Sequence, residues 1–202
     1  MTIRPATIDD LAAMRRICLL TGDSGLDATG RWSSDELLAD VFLEPYLRYP
    51  TGLGWVVDEE GGVVGYLVAA ADTSDFVAWW RGSWVAEFTA RHGATPERAE
   101  EKWLYDAGTQ PELQLDRFDV RAFPAHLHID LLPVAQGRRL GQALMRTLGE
   151  ELQRRAVPGV HLGFGEDNVR AAAFYRRLGF DEPSPGVMTC PTSRLTGEAL
   201  PL

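Results

Sequence analysis

Four groups of side chains in this 202-residue chain are of types that could do chemistry. In AHLHIDLL, residues 125–132, apolar and polar positions alternate. Strand side chains two apart share a face, so His126, His128 and Asp130 point the same way. A buried carboxylate with a raised pKa, or a neutral imidazole, can accept a proton near neutral pH. The structural alternative is a pair of half-buried, hydrogen-bonded histidines and an aspartate that only orients a ligand. Next comes the basic turn Gln136-Gly137-Arg138-Arg139-Leu140-Gly141, leading through Gln142 into a helix. At such a junction backbone N–H groups and the positive end of the helix dipole face an anion, and Gly137 and Gly141 let the backbone come close. Arg138 and Arg139 add charge where a pyrophosphate would sit. Alternatively, the glycines only shape a connection and the arginines are solvated. Asp72 follows an apolar run, and Asn168 and Tyr175 lie on a later helical segment.

The elements that must position these groups are legible in outline. Leu127 to Leu132 reads as a largely buried strand closed by Pro133. The helix after the basic turn buries Leu140, Leu144, Leu148 and Leu152 at four-residue spacing and leaves Glu150, Glu151, Arg154 and Arg155 to solvent. A strand at Thr2 to Ala6 precedes a capping-box start, Thr7 with Asp10, and a helix whose apolar face is Leu11, Met14, Ile17 and Cys18. Gly22 and Gly25 end that helix. Thr21 to Arg31 is either a polar loop or a lid over a site. Ser33 or Ser34 can cap a helix over Leu37, Leu38, Val41 and Phe42. Leu53 to Val57 and Val63 to Ala70 form a hairpin across a glycine turn. Thr73 or Ser74 caps a helix carrying Phe76, Trp79, Trp80, Trp84, Val85 and Phe88, and Pro96 opens another with Trp103, Leu104 and Tyr105. These aromatics are either an inserted core or one wall of a pocket.

Hydrophobic residues make up 45% of the chain and charged ones 24%, as expected of one globular domain spanning 1–202, with a helical, aromatic-rich stretch at about 73–120. The net charge of −9 and pI near 4.9 argue against nucleic acid as a partner and tolerate a cationic one. Cys18 and Cys190 form no disulfide or metal pattern, so no metal is expected. MTIRPATIDD lacks a signal-peptide core and no run could span a bilayer, so no membrane association is expected and the default compartment is the cytoplasm.

The basic turn together with NVRAAAFYRRLGF, residues 168–180, resembles the GNAT superfamily of acyl-CoA-dependent N-acetyltransferases. The segments ICLLTGDSGLD, EEGGVVGYLVAAADTSDF and HLHIDLLP are similar to the acetyltransferase-like domain at the C-terminus of O-GlcNAcase, above all to its free-standing bacterial relatives. The resemblance implies an α/β (α+β) fold: a mixed, mostly antiparallel central sheet with a bulged fourth strand splayed from the fifth, flanked by helices, the insertion lying between the third and fourth strands. It implies acetyl-CoA as co-substrate and a primary amine of a small molecule or protein as acceptor. Amides near Leu131 and Leu132 would hold the pantetheine arm and polarise the thioester. Gln136, Gly137, Arg138, Arg139, Leu140, Gly141 and Gln142 would wrap the pyrophosphate, and Asn168, Ala171, Phe174 and Tyr175 would line the rest of the cofactor site.

In the same resemblance Tyr175 protonates the leaving thiolate; for the base, the shared strand face offers Asp130 and His128 and the O-GlcNAcase-like pattern offers Asp72, in the order Asp130, Asp72, His128. The region Val187 to Leu195 could pair with a neighbouring chain in a homodimer. One departure is Arg139, where the family pattern expects glycine: at positive φ an arginine is strained, and otherwise it adds a phosphate contact. Two rivals stand beside the enzyme: a pseudo-acetyltransferase that binds acyl-CoA as a sensor or partner module, and a nucleotide-binding protein built on the same turn.

Overall fold

In the computed structural model, which describes residues 1–113, 118–166 and 168–196, the chain opens with β1 (Thr2–Pro5), α1 (Leu11–Thr21), α2 (Leu37–Phe42) and α3 (Glu44–Arg48). The hairpin β2 (Leu53–Glu59) and β3 (Gly62–Ala70) follows, and then the insertion with α4 (Thr73–Trp79), α5 (Val85–His92) and α6 (Lys102–Thr109). The final part holds β4 (Ala125–Leu131), α7 (Leu140–Arg154), β5 (Gly159–Gly163), α8 (Val169–Arg177), β6 (Asp181–Ser184), β7 (Val187–Pro191) and α9 (Thr192–Thr196). The expected insertion reaches residue 120, and its residues 114–117 lie outside the described ones.

The strands form one seven-stranded sheet in the order β1-β2-β3-β4-β5-β7-β6. Every neighbouring pair is antiparallel except β4 and β5. Alternation buries both faces. Val57, Leu67, Ala69 and Leu127 pack under α7, α8 and α9 with Leu140, Leu144, Leu148 and Leu152. Val56, Tyr66, Val68 and Ala70 face α1 to α6 with Met14, Tyr46, Phe76 and Trp80. The mixed sheet, its flanking helices and the insertion between the third and fourth strands are as expected.

Several local expectations are corrected. The cap of α4 is Asp72, whose Oδ1 accepts from the Ser74 and Asp75 amides, because the Thr73 hydroxyl is drawn inward to Pro124 and His126. The segment after Pro96 becomes helical only at Ala99, through a short 3-10 turn. The β3–β4 register runs unbroken from Gly65↔Leu131 to Ala70↔His126, so β4 splays without the expected bulge. β7 is paired on both sides, by β5 and by β6, and Thr192–Thr196 is helical, so the edge offered to a neighbouring chain is not Val187 to Leu195.

The aromatics of the insertion divide between the two expectations. Phe76, Trp80, Trp84 and Phe88 are buried, and the Trp80 and Trp84 indoles donate to Gly108 O and Asp40 O at 2.9 and 2.8 Å. Trp103 stays exposed beside Phe42 and Trp32. Helices α1, α2, α3 and α5 are tied by buried charges: Arg15 and Arg91 both pair with Asp40 and Glu44, and His92 pairs with Asp40 at 2.7 Å. Burial alone would raise the Glu44 carboxyl, but bonds from Arg91, Arg15 and Arg48 overcome it and hold Glu44 down at about 2.

Leu144 is fully buried at the centre of the α7 stripe. Leu144→Ala is expected to lower stability by about 2–5 kcal/mol, the range for cavity-forming core truncations, read as a fall in the denaturant midpoint.

Candidate active site

β4 and β5 share only two rungs, Ala125↔Val160 and His126↔His161, and the second stacks the two imidazoles with centroids 5.6 Å apart. Beyond it the strands part, and a cleft of about 1510 Å³ opens. That is more than the several hundred Å³ usual for one small ligand, and it leaves room for two. Its lining includes the basic turn, the face of β4, the start of α8 and the loop after α1.

The ladder parity fixes which β4 amides reach the cleft. The Leu132 amide donates to Val64 O at 3.0 Å. In an antiparallel ladder the hydrogen-bonded pairs recur every second residue, so the amides of Asp130 and His128 also face β3. Those of Ile129 and Leu131 point the other way, into the gap. The Leu132 amide is therefore taken by β3, which corrects its expected place at the cleft; the Leu131 amide faces the gap, and so does that of Ile129, which the sequence did not single out. Strand alternation together with one long-range bond would have found it. The Leu131 carbonyl on the same edge accepts from Gln136 Nε2 at 2.9 Å, which ties the turn to the strand.

The turn is shaped as a cradle. Gly137 has φ +71°, and a Cβ on Gly141 would lie 3.0 Å from the Phe174 ring, so α7 and α8 meet closely at the cleft. Arg139 adopts φ 61° and ψ 13°, the left-handed conformation immediately before α7. The strained branch of the sequence expectation holds. Arg139 still lines the cleft, as do Gln136, Gly137, Leu140, Gly141 and Gln142. Arg138 does not: its guanidinium pairs with Glu59 at 2.7 Å on the β2–β3 hairpin. Its expected contact with a pyrophosphate is thus diverted to a carboxylate.

At the start of α8, Asn168 is the cap, with Oδ1 accepting from the Ala171 amide at 3.0 Å. Ala171 and Tyr175, one turn apart, both line the cleft with Phe174. Tyr175 is 7% exposed, and burial, with Asp130 adding to it, raises its hydroxyl pKa and keeps it protonated.

On the opposite side of the cleft stand His128 and Asp130. Burial raises the Asp130 carboxyl, and a hydrogen bond donated by the Tyr66 hydroxyl partly opposes this. His128 Nε2 and His126 Nε2 both lie at the Tyr46 hydroxyl, at 3.0 and 2.9 Å. Burial lowers His128 to about 4 and lowers His126 and His161 in the same direction. Asp72 is elsewhere: it is exposed, committed to the α4 cap, and absent from the cleft lining. His161, donating Nδ1–H to Phe123 O at 2.6 Å, is a cleft residue the sequence reading did not single out.

Two measurements follow from these environments. Arg139→Gly removes the left-handed strain, about 1–2 kcal/mol, but returns about 0.4–1 kcal/mol of backbone entropy to the unfolded chain. A net gain of about 0 to 1.6 kcal/mol is expected in a denaturant titration. The second concerns pH. His126, His128 and His161 are neutral in the fold, whereas in the unfolded chain each takes up a proton near 6.5. Their folded pKa values are lowered, so this stability is complete above about 6.5 and drains away as pH falls, the His128 share being lost on the way to about 4. Asp130, with its raised pKa, has the opposite sign and favours the fold at the acid end. The unfolding free energy should fall below neutrality, by at most about 1.4 kcal/mol per pH unit for each histidine, and the melting temperature should fall with it. His128→Gln should flatten that slope; an unchanged slope would show His128 to be already protonatable in the fold.

Comparison with known proteins agrees with this geometry. Residues 112–182 match the family model described as an acetyltransferase (GNAT) domain. The crystal structure of SsHAT is 35% identical, with a TM-score of 0.85, covering 95% of this chain and 98% of that one. A phosphinothricin acetyltransferase from Sinorhizobium meliloti, solved with acetyl-CoA, is 18% identical with a TM-score of 0.53 over 94% of this chain and 87% of its own, a likeness of fold. Protein O-GlcNAcase of Rattus norvegicus is 23% identical over 182 residues, 88% of this chain but 20% of that protein, so the chain spans about a fifth of the curated relative it matches. No helix among the described residues is long and apolar enough to cross a membrane. A strand pair that parts over a glycine-bearing basic turn, with the matches to the domain model and to SsHAT, places the chain in the GNAT acetyltransferase family.

Proposed function

We propose that the chain transfers the acetyl group of acetyl-CoA to a primary amine by direct attack with both substrates bound. The observation that carries this reading is the splay of β4 from β5, because three kinds of group converge on that one gap. The Ile129 and Leu131 amides face it, the basic turn at the N-terminus of α7 lies at one end, and Tyr175 and Asp130 line its two sides.

In this reading the pyrophosphate of CoA rests on the turn from Gln136 to Gln142, with Arg139 as its cation. The pantetheine arm runs between the parted strands against the Asn168 amide group, Ala171 and Phe174. The Leu131 amide, with Ile129, donates to the thioester carbonyl and stabilises the oxyanion as it forms. Holding amine and thioester together turns a bimolecular encounter into an effectively unimolecular step. The amine arrives as an ammonium and gives a proton to Asp130, whose raised pKa makes it a competent acceptor. The nitrogen lone pair attacks the carbonyl carbon, the C–S bond breaks, Tyr175 protonates the departing sulfur, and the nitrogen sheds its second proton to solvent. Solvent then restores the Tyr175 proton and removes that of Asp130, so the sum is ammonium plus acetyl-CoA to amide plus CoA thiol plus one proton released to solvent.

The matched part of O-GlcNAcase is its acetyltransferase-like region, so the likeness brings no glycoside chemistry with it. In this reading the chain works as a single domain in the cytoplasm and takes a primary amine of a small molecule or a protein as acceptor.

The test is calorimetric titration with acetyl-CoA and, separately, ATP, followed by turnover with a panel of primary amines. Binding of acetyl-CoA well ahead of ATP is expected. Asp130→Asn and Tyr175→Phe should each lower kcat by about 10²-fold or more, the scale of a lost acid or base, while leaving acetyl-CoA affinity unchanged. Tight binding with no turnover across the panel would replace the enzyme by the acyl-CoA-binding module; preference for ATP would remove the CoA reading altogether.

A further inference from the structure

One wall of the cleft is backed by a hydrogen-bond chain that the acetyl-transfer reading leaves unused. Thr73 Oγ1 lies 2.7 Å from Pro124 O and 2.7 Å from His126 Nδ1. A carbonyl can only accept, so the one hydroxyl proton of Thr73 goes to Pro124, and Oγ1 must accept from His126 Nδ1–H. Buried against His161 and His128, His126 is neutral, so its Nε2 is a bare lone pair. The Tyr46 hydroxyl, 2.9 Å away, donates to that lone pair. With its single proton committed, the Tyr46 oxygen can only accept from His128 Nε2, at 3.0 Å. Each proton position is thus set by the one before it, starting from a backbone carbonyl. His128 ends the chain with hydrogen on Nε2. Its Nδ1 has no hydrogen-bond partner among the described residues, and the side chain lines the cleft with Asp130.

The chain is also held in place. Tyr46 is buried, stacked on Phe76 with centroids 4.6 Å apart, and carried by α3, which Glu44 anchors to Arg15 and Arg91. His126 is clamped between Tyr46 and His161. His128 packs on Phe42 at 5.1 Å.

We propose that Tyr46, His126 and Thr73 are positioning residues that lock His128 in its Nε2–H tautomer, so that His128 Nδ1 accepts a hydrogen bond from the acceptor amine. This deepens the acetyl-transfer reading and rests on it. Asp130 and His128 Nδ1 then offer the incoming nitrogen two acceptors. An ammonium from a primary amine gives one proton to Asp130, keeps an N–H on His128 Nδ1, and turns its lone pair toward the thioester. A hydroxyl carries one hydrogen and cannot satisfy both, so the site selects primary amines over alcohols.

Two readouts test this: ring-nitrogen NMR of ¹⁵N-histidine-labelled protein at neutral pH, and kinetics with the best amine from the panel. In the native protein His128 should show a protonated Nε2 and a bare Nδ1. Tyr46→Phe should give a mixture of His128 tautomers and raise KM for the amine by about tenfold, the scale of one impaired hydrogen bond, with acetyl-CoA affinity unchanged. Thr73→Val probes the same chain from its other end and serves if Tyr46→Phe fails to fold. His128→Asn, whose Oδ1 can take the place of Nδ1, should retain much more amine affinity than His128→Phe. A protonated Nδ1 on native His128 would overturn the proposal, as would a folded Tyr46→Phe protein with native amine KM. The NMR readout needs no turnover, so a locked tautomer in a protein that acetylates nothing would sink the acetyl-transfer reading alone.

Discussion

Two rungs of parallel pairing between β4 and β5 hold this molecule together at the place where it also opens. Up to His126↔His161 the sheet is continuous, and the cores on its two faces are closed by it. Past that rung each strand keeps its other partner, β3 for β4 and β7 for β5, so the parting costs the sheet little integrity. The backbone groups left along the inner edge of β4 cannot remain unpaired in a dry interior without a penalty of a few kcal/mol each. They are tolerated because the gap is a cleft, open to water or to a ligand able to replace it.

The same economy governs the polar side chains around the gap. Burying His126, His128, Asp130 and Tyr66 on one side of the sheet would be unfavourable group by group. Tyr46 and Thr73 satisfy the two histidines, and Tyr66 satisfies Asp130. The outcome is a wall with fixed proton positions and a carboxyl of raised pKa, standing opposite a tyrosine kept protonated by its own burial. Helix α3 matters in this arrangement out of proportion to its length, since it delivers Tyr46. It is pinned there by Glu44, whose charge survives burial only because three arginines surround it.

Arg138 and Arg139 show how adjacent, identical residues diverge. Arg139 occupies a left-handed position that disfavours any side chain, and its guanidinium remains at the cleft; Arg138 turns back to Glu59 and braces the turn against the β2–β3 hairpin. One is available to an anion, the other serves the fold. Trp103 and the core tryptophans diverge in the same way: a single apolar cluster in the chain becomes interior on one side and cleft rim on the other.

What the sequence by itself determined is whatever depends on neighbours in the chain. The leucine stripe of α7, the Thr7–Asp10 box, the glycine hairpin and the shared face of His126, His128 and Asp130 follow from helical or strand periodicity and from local capping. The basic turn was visible for the same reason, its glycines and arginines being contiguous. Tertiary structure alone decided the rest, because it depends on partners far along the chain. Asp72 was removed from the cleft when Pro124 and His126 drew Thr73 inward, leaving the aspartate to cap α4. The Leu132 amide was taken by Val64 while Ile129 was turned toward the gap, a matter of ladder parity that no single strand carries. The protons of His128 were set by Tyr46, 82 positions away, since a hydrogen bond depends on distance in space and on which partner has a proton left to give.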